Sequence, residues 1–204
     1  AFDNIVHEHL EYYSLLSLEK LLSRHTLEVF DVSQNDINGG SFRTYIRFKG
    51  AKIGGETGFQ ERIMPMRKKE RRLGLDQKEI YLEFTSKAQE IMNKLFTVVD
   101  NLVAEGKKVY VYGASTRGNT LLQAAGLDYR QITAAPERNS FKWGRKMVGL
   151  NIPIISEEEA RKAKPDYFLV LPWFFKKEFI EREKEYLDSG GKLIFPLPEF
   201  EIVG

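Results

Sequence analysis

The sequence predicts an α/β fold in which the larger, C-terminal part of the chain forms a doubly wound parallel sheet. Short apolar runs such as 109–112 and 167–171 alternate with segments of helical periodicity from residue 80 onward. Repeated strand–helix units require right-handed crossovers and therefore give parallel strands with helices on both faces. The chain has 204 residues, 42% of them hydrophobic, which is enough to bury a core.

The first 60 residues predict a smaller arrangement of one helix and two strands. Leucines recur at helical spacing over 15–22, so this segment predicts a short amphipathic helix. Residues 27–32 and 42–48 predict antiparallel strands, joined through Asn38-Gly39-Gly40, whose glycines permit positive φ. Few apolar residues anchor 61–79, which is therefore predicted to be a linker. Its basic run could touch phosphate or form a solvated helix face.

The C-terminal part, residues 80–204, opens with a long amphipathic helix. Its apolar positions recur every three or four residues from Ile80 to Leu102, and Gly106 stands where the helix would stop. A capping box of Ser156 and Glu159 starts another helix. Further helices are predicted at about 119–125 and 175–187, and strands at 109–112, 132–135, 152–155, 167–171 and 193–195.

Composition and charge exclude several classes of protein. The 31 basic and 29 acidic residues leave a net charge of +2, so bulk charge does not select nucleic acid as a partner. The absence of cysteine excludes disulfides, thiolate metal sites and cysteine nucleophiles. No stretch approaches the roughly 18 apolar residues of a membrane span, and the start lacks the pattern of a signal peptide. We therefore expect a soluble, cytoplasmic protein with no membrane partner.

A strand, a small-residue loop and a helix start follow one another at 110–120. Backbone N–H groups at such a helix start can hold a phosphate, and hydroxyl groups and arginine can add hydrogen bonds. The candidate phosphate or sugar-nucleotide contacts are Gly113, Ser115, Thr116, Arg117, Gly118, Asn119 and Thr120. A plain tight turn is the alternative. NAD binding is disfavoured for two reasons. Ser115 replaces a glycine of the dinucleotide fingerprint, and no clear acidic ribose ligand stands at the end of the strand predicted at 132–135, where Glu137 is the nearest acid.

The N-terminal end of the chain carries His7-Glu8-His9, followed by Tyr12 and Tyr13. A histidine beside a carboxylate can act as a general base, and phenols can donate hydrogen bonds to a developing oxyanion. This equipment suits the removal of a proton next to a carbonyl. The alternatives are a surface role and a metal site; no third ligand is evident, so we expect no metal.

A second candidate binding segment follows the first predicted strand. Asn38, Gly39, Gly40, Ser41 and Arg43 could form the rim of a pocket, because the glycines let a ligand approach the backbone. An ordinary turn is the alternative interpretation.

Taken together, four stretches resemble the C-methyltransferase family that acts on nucleotide-activated deoxysugars. They are residues 2–14, 38–43, 112–120 and 165–173, and they occur in the family's order along nearly the whole chain. The resemblance implies a three-part protein with a zinc module, a central methyltransferase domain and a Rossmann-like C-terminal domain. Residues 1–60 would then be the end of the methyltransferase domain, and residues 80–204 the C-terminal domain.

The zinc module and the glycine-rich turn that would bind S-adenosylmethionine are absent from this sequence, which begins with Ala1 rather than methionine. By resemblance, the chain is a piece of a longer enzyme or the product of a split gene, and we expect it to be inactive alone. S-adenosylmethionine is the implied methyl donor, bound mainly by the missing segment, and a nucleotide-linked ketosugar is the implied partner. Apolar strand faces left uncovered by a partial domain predict self-association.

The family's chemistry also implies roles for the histidine motif. His9 would remove the proton beside the keto group, and the resulting enolate would attack the donor methyl, with Glu8 assisting and Tyr12 or Tyr13 nearby. Some members carry a tyrosine immediately before the motif, where this chain has Val6. The competing hypotheses are a sugar-nucleotide-binding module without catalysis and, less favoured, a nicotinamide-dependent oxidoreductase.

Overall fold

The structure, a computed structural model, describes residues 2–6, 8–37, 40–52, 54 and 58–204. It divides the chain into two compact units. The smaller unit comprises residues 10–86, and the larger unit comprises residues 1–9 together with 87–204. The first nine residues thus belong with the C-terminal part of the chain, an association that local sequence patterns do not indicate.

The smaller unit combines helices with one antiparallel pair of strands. Its elements are α1 (Leu15–Ser23), β1 (Leu27–Asn35), β2 (Ser41–Phe48), α2 (Phe59–Arg72) and the first turns of α3 (Lys78–Ala104). Leu27 lies opposite Phe48 in the antiparallel register, and Asn35 lies opposite Ser41. Ser14 forms the capping box that starts α1. The predicted helix and the two antiparallel strands are therefore confirmed.

The segment predicted to be a linker, residues 61–79, is mostly helical. It contains nearly all of α2, whose Ile63 and Met66 are buried in one core cluster with Leu15. Glu70 is also buried, and its carboxylate accepts hydrogen bonds from the first backbone N–H groups of α1 at 2.8 and 2.9 Å. Residues 61–72 are therefore a packed helix and not an extended linker, because Ile63 and Met66 pack against the core of the smaller unit and Glu70 binds the start of α1. The assignment of functional domains stays a prediction.

The larger unit continues with alternating strands and helices. After α3 they are β3 (Val109–Tyr112), α4 (Thr116–Ala125), β4 (Ala135–Glu137), β5 (Ile154–Ser156), α5 (Glu157–Ala163), β6 (Tyr167–Val170), α6 (Lys176–Arg182), α7 (Lys184–Asp188), β7 (Lys192–Phe195) and β8 (Glu201–Val203). Short 3-10 turns lie at Phe2–Asn4, Ser140–Lys142 and Trp173–Phe175. Strands β4 and β5 begin slightly later than predicted, and β8 lies beyond the predicted strands.

The main sheet has the strand order β3-β6-β7-β8. Strands β3, β6 and β7 are parallel, with Val109 opposite Tyr167 and Tyr167 opposite Lys192, whereas β8 is an antiparallel edge strand on β7. The parallel pair of β4 and β5 is joined to β3 by backbone hydrogen bonds, including Gly113 N–H to the Pro136 carbonyl at 2.9 Å. The predicted α/β class with a parallel sheet is confirmed.

Apolar side chains cover both faces of the main sheet. One cluster combines alternate strand residues with residues of α3 and α4: Val109, Val111, Leu169, Ile194, Leu95 and Leu122. The other combines the intervening strand residues with residues of α5, α6 and α7: Tyr110, Phe168, Leu193, Ala160, Phe179 and Tyr186. Because successive side chains of a strand point to opposite faces, this division means that helices pack on both sides of the sheet. In the described part of the chain, no helix combines the length and the apolar character that crossing a bilayer requires.

Candidate functional site

The loop between β3 and α4 makes a tight turn at the end of a fully buried strand. Gly113 has a φ of +84°, in the left-handed region that favours glycine. Ser115 is the N-cap of α4, and its Oγ accepts a hydrogen bond from the Gly118 N–H at 3.0 Å. The predicted strand, small-residue loop and helix start therefore exist, and the helix begins at Thr116, earlier than the sequence pattern predicts.

Gly118 has a packing role within this turn. A Cβ at this position would lie 2.9 Å from Leu171 Cδ1 and 3.1 Å from Ser115 Oγ. Such distances leave no room for any other side chain without movement of Leu171. The glycine therefore lets α4 approach the residue that follows β6, and this close approach places the first turn of α4 beside the strand ends.

A cavity of 670 Å³ opens beside this turn. Four of the residues predicted to contact substrate line it: Ser115, Thr116, Asn119 and Thr120. The rest of the wall is formed by Ile5, Val6, Ala114, Gln123, Lys146, Met147, Val148 and Ile154. The cavity thus joins the predicted phosphate loop to the segment that immediately precedes the His-Glu-His motif.

The lining of the cavity mixes apolar surface with a few polar groups. Hydroxyls from the first turn of α4, the amide of Asn119 and the ammonium group of Lys146 provide donors and acceptors. Asn119 Oδ1 is buried and has no hydrogen-bond partner in the described residues. Buried acceptors are normally satisfied, so this atom could accept a hydrogen bond from a ligand. An apolar pocket with a few convergent polar groups is typical of a small-molecule site.

Arg117 does not line this cavity but forms an ion pair at the other side of the turn. Its Nη2 lies 2.7 Å from Oδ2 of Asp3, whose side chain is 5% exposed. The indole N–H of Trp173 donates to the same carboxylate oxygen at 3.0 Å, and the guanidinium lies over the ring of Phe174 at 5.0 Å. The predicted phosphate contact thus already has a protein partner. Sequence reasoning missed Asp3, which lies 114 positions away.

Glu137 closes the loop from the end of β4. Its Oε2 accepts hydrogen bonds from the Ala114 N–H at 3.0 Å and from the Lys142 ammonium at 3.2 Å. The Lys142 ammonium also donates to the Ala114 carbonyl at 2.9 Å. Burial alone would raise the pKa of the Glu137 carboxyl, but the hydrogen bonds from Asn139, Ala114 and Lys142 outweigh it and hold the pKa below its ordinary value. Glu137, the acid nearest to the expected position of a ribose ligand, is therefore already hydrogen-bonded to Ala114, Asn139 and Lys142.

The residues that precede the His-Glu-His motif are fastened to the larger unit by a short turn. Phe2 packs against the core, Val6 is buried, and the Ile5 N–H donates to the Phe2 carbonyl at 3.0 Å. His9 is exposed, with its Nδ1 2.9 Å from the Asn4 carbonyl oxygen. Glu8 is exposed as well. His7 lies outside the described residues.

The remaining predicted site residues belong to the smaller unit. Tyr12 and Tyr13 are exposed, and the Tyr13 hydroxyl donates to the Glu11 carboxylate. Ser41 and Arg43 lie exposed on β2, where the Ser41 hydroxyl donates to Asn35 Oδ1 at 3.0 Å. Gly40 has a φ of +112°, which suits the predicted turn. Asn38 and Gly39 lie outside the described residues. Within the described ranges, no three histidine or acidic residues form a group that could hold a metal ion.

Comparisons with known proteins agree with the resemblance. Residues 36–198 match the model of a family described as the C-methyltransferase C-terminal domain. C-methyltransferase NovU from Streptomyces niveus is 36% identical over 202 residues, which cover 99% of this chain and 47% of NovU. The chain therefore spans about half the length of this curated relative. Because the family model covers most of the chain and the relative matches nearly all of it, the chain belongs to the C-methyltransferase family and contains its C-terminal domain.

Proposed function

We propose that the chain is the C-terminal part of an S-adenosylmethionine-dependent enzyme that methylates a carbon next to the keto group of a nucleotide-linked sugar. The observation that carries this proposal is the cavity of the larger unit, in which Ser115, Thr116 and Asn119 meet the segment leading into His9. The family supports methyl transfer to carbon as the reaction. The cavity supports the chain's own part in it, which is to hold the sugar nucleotide.

The polar groups of the cavity suit a sugar nucleotide. The N-terminus of α4 and the Lys146 ammonium favour an anion such as a diphosphate. The hydroxyls of Thr116 and Thr120 and the Asn119 amide suit sugar hydroxyls and base edges, which both donate and accept hydrogen bonds. Met147, Val148 and Ile154 provide apolar surface for a ring. This combination supports the assignment of substrate contacts to the larger unit.

The same lining is less suited to the methyl donor. S-adenosylmethionine supplies an electrophilic methyl group and carries an adenosine ribose, which proteins commonly bind through an acidic side chain. Every described residue that lines the cavity is apolar, neutral polar or basic, and the nearby carboxylate of Glu137 is held by Ala114 and Lys142. This observation supports placing the donor elsewhere in the enzyme, as the resemblance implies.

His9 is our candidate for the base. A carbonyl oxygen can only accept, so the contact with Asn4 places the proton of the neutral ring on Nδ1 and leaves the lone pair on Nε2. Nε2 would take the proton from the carbon beside the keto group, and the electron pair of the broken C–H bond would form the enolate. The enolate carbon would then bond to the donor methyl as the sulfur–methyl bond breaks. Glu8, Tyr12 and Tyr13 remain candidates for assisting this step.

A sugar-nucleotide-binding module without catalysis is the second candidate function. It is favoured by the fact that the described lining of the cavity includes Ile5 and Val6 but not His9. Both functions require the cavity, and only the enzyme requires His9.

Two measurements test these functions. Calorimetric titration of the chain with a thymidine diphosphate sugar should show binding that Asn119→Ala weakens and Asn93→Ala, at an exposed position of α3, leaves unchanged. S-adenosylmethionine and NAD serve as control ligands, and NAD binding alone would point to an oxidoreductase.

For catalysis, the chain is fused to the part of NovU that it does not match, and methyl transfer is followed. Activity should be lost in His9→Ala and kept in His25→Ala; activity that survives His9→Ala contradicts the assigned base.

A further inference from the structure

A buried carboxylate near the start of the chain is held in an unusual way. Asp3 is 6% exposed, and its Oδ2 receives both Arg117 Nη2 at 2.7 Å and the Trp173 indole N–H at 3.0 Å. Its Oδ1 is buried without a hydrogen-bond partner in the described residues. Burying a carboxylate is unfavourable unless its charge is paired. Such pairs contribute little net stability, and their best-attested use is to specify position.

The residue after Asp3 contacts the imidazole of His9. Residues Phe2–Asn4 form a 3-10 turn, and the Asn4 carbonyl oxygen lies 2.9 Å from His9 Nδ1. The backbone N–H of His9 also donates a hydrogen bond to the Val6 carbonyl at 3.0 Å. The direction of the Asn4 carbonyl therefore depends on how the 3-10 turn is held, and Asp3 is the charged side chain of that turn.

Arg117, the other half of the ion pair, lies on α4, the helix whose first turn also contributes to the wall of the cavity. Arg117 belongs to the first turn of α4, between Thr116 and Asn119, which line the cavity. Its Nε also approaches the Asp3 backbone carbonyl at 3.4 Å, and its guanidinium rests on Phe174. The first turn of α4 thus contributes Thr116 and Asn119 to the cavity lining, and its Arg117 forms the ion pair with Asp3 in the 3-10 turn before His9.

We propose that Asp3 and Arg117 are positioning residues that orient the Asn4 carbonyl and thereby keep the proton of the His9 imidazole on Nδ1. The ring then carries its lone pair on Nε2, the nitrogen that acts as the base. The catalytic consequence rests on the proposed function, whereas the control of the tautomer by Asp3 and Arg117 does not.

The tautomer is measured directly by long-range ¹H–¹⁵N NMR of the imidazole rings in the isolated chain, at a pH at which the spectra show the rings to be neutral. Signals are assigned with His7→Gln and His25→Gln, and His25 serves as the reference ring. In the unsubstituted chain the Nδ1–H form of His9 should dominate. Asp3→Asn and Arg117→Leu should each lower the ratio of Nδ1–H to Nε2–H about fivefold, the factor expected when one ordinary hydrogen bond is lost. Arg117→Lys, which keeps the charge, should give an intermediate ratio.

Arg138→Leu is the matched control, because it removes an ion pair with Glu157 at 3.2 Å elsewhere in the same unit. It should leave the His9 ratio unchanged. An unchanged ratio in folded Asp3→Asn and Arg117→Lys would show that the ion pair merely fastens the chain, and would overturn the proposal. Equal shifts in Arg138→Leu would do the same. Because no substrate is present, failure here leaves the proposed methyl transfer untouched, and loss of activity in His9→Ala leaves this coupling untouched.

Discussion

The two units of the chain are stabilised in different ways. The described residues of the larger unit form clusters of 17 and 8 buried apolar residues on the two faces of one sheet. The smaller unit has a single cluster of six, around one antiparallel pair of strands. Large apolar side chains remain exposed there, including Leu10 at 89% and Phe48 at 70%. A two-stranded sheet with one covered face is marginal by itself.

Polar contacts supply part of what the smaller unit lacks in core. Arg62 makes two hydrogen bonds of 2.7 Å to the Asp31 carboxylate, and Glu70 caps the start of α1. The partly exposed ion pair contributes at most about 1 kcal/mol, whereas the buried Glu70 cap should contribute more, because its removal leaves two N–H groups without an acceptor. The cavity therefore lies in the unit with the larger core, while Ser41, Arg43 and the two tyrosines lie in the unit with the smaller core. We therefore expect faster amide exchange in residues 10–86 than in the strands of the larger unit.

The largest expected effect comes from truncating a buried side chain in the core of the larger unit. Ile194→Ala removes a fully buried side chain from the central sheet and should lower the free energy of unfolding by about 3–4 kcal/mol. Urea denaturation followed by tryptophan fluorescence measures this, because both tryptophans, Trp143 and Trp173, lie in the larger unit. Leu22→Ala in the smaller unit should hardly move that transition. Equal shifts in both variants would mean that the two units unfold together.

The next effect tests the polar support of the smaller unit. Glu70→Ala leaves two N–H groups of α1 without their acceptor and should destabilise α1 by about 2 kcal/mol. Hydrogen exchange at Leu15 and Leu16 is the readout, since their amides donate to Glu70. Glu61→Ala, at an exposed position of α2, is the control and should change little. Unchanged exchange in Glu70→Ala would contradict the assigned cap.

Two glycines, one in the loop after β3 and one in the first turn of α4, should separate backbone strain from packing. Gly118→Ala introduces a Cβ 2.9 Å from Leu171 Cδ1 and should destabilise the larger unit by about 2 kcal/mol. Gly113→Ala meets no atom within 4 Å but occupies a φ of +84°, so about 1 kcal/mol is expected from the backbone alone. The same fluorescence-detected urea transition ranks the two. The reverse order would show that Leu171 moves aside easily.

The smallest effect is a pH dependence of the cavity loop. The pKa of Glu137 is depressed in the folded chain, so its contribution to stability is complete above the ordinary value of 4.5 and is lost as pH falls through the lower folded value. Amide exchange of Ala114, corrected for its intrinsic pH dependence, should accelerate as the pH is lowered toward 3. Glu137→Gln should show this faster exchange already at neutral pH and lose the pH dependence. Glu158→Gln, at an exposed position of α5, should retain the behaviour of the unsubstituted chain.

Local patterns alone predicted much of this molecule. Apolar runs located β3, β6 and β7, because a strand buried on both faces must be continuously apolar. The small-residue loop after β3 predicted a tight turn into α4, and four of its seven candidate contacts line the cavity. The order of the motifs along the chain predicted the family, which the comparisons confirm.

Only the tertiary structure decided which distant residues meet. Asp3 and Arg117 are 114 positions apart, and Glu70 reaches the start of α1 from 55 positions away. Neither pair leaves a periodic signal, because one carboxylate and its donors meet only after the chain has folded back on itself. The short edge strand β8 escaped prediction for a related reason, since its three residues form a strand through pairing with β7. Periodicity is set by neighbours along the chain and can be recognised there, whereas caps and ion pairs across the fold are set by the packing of whole elements.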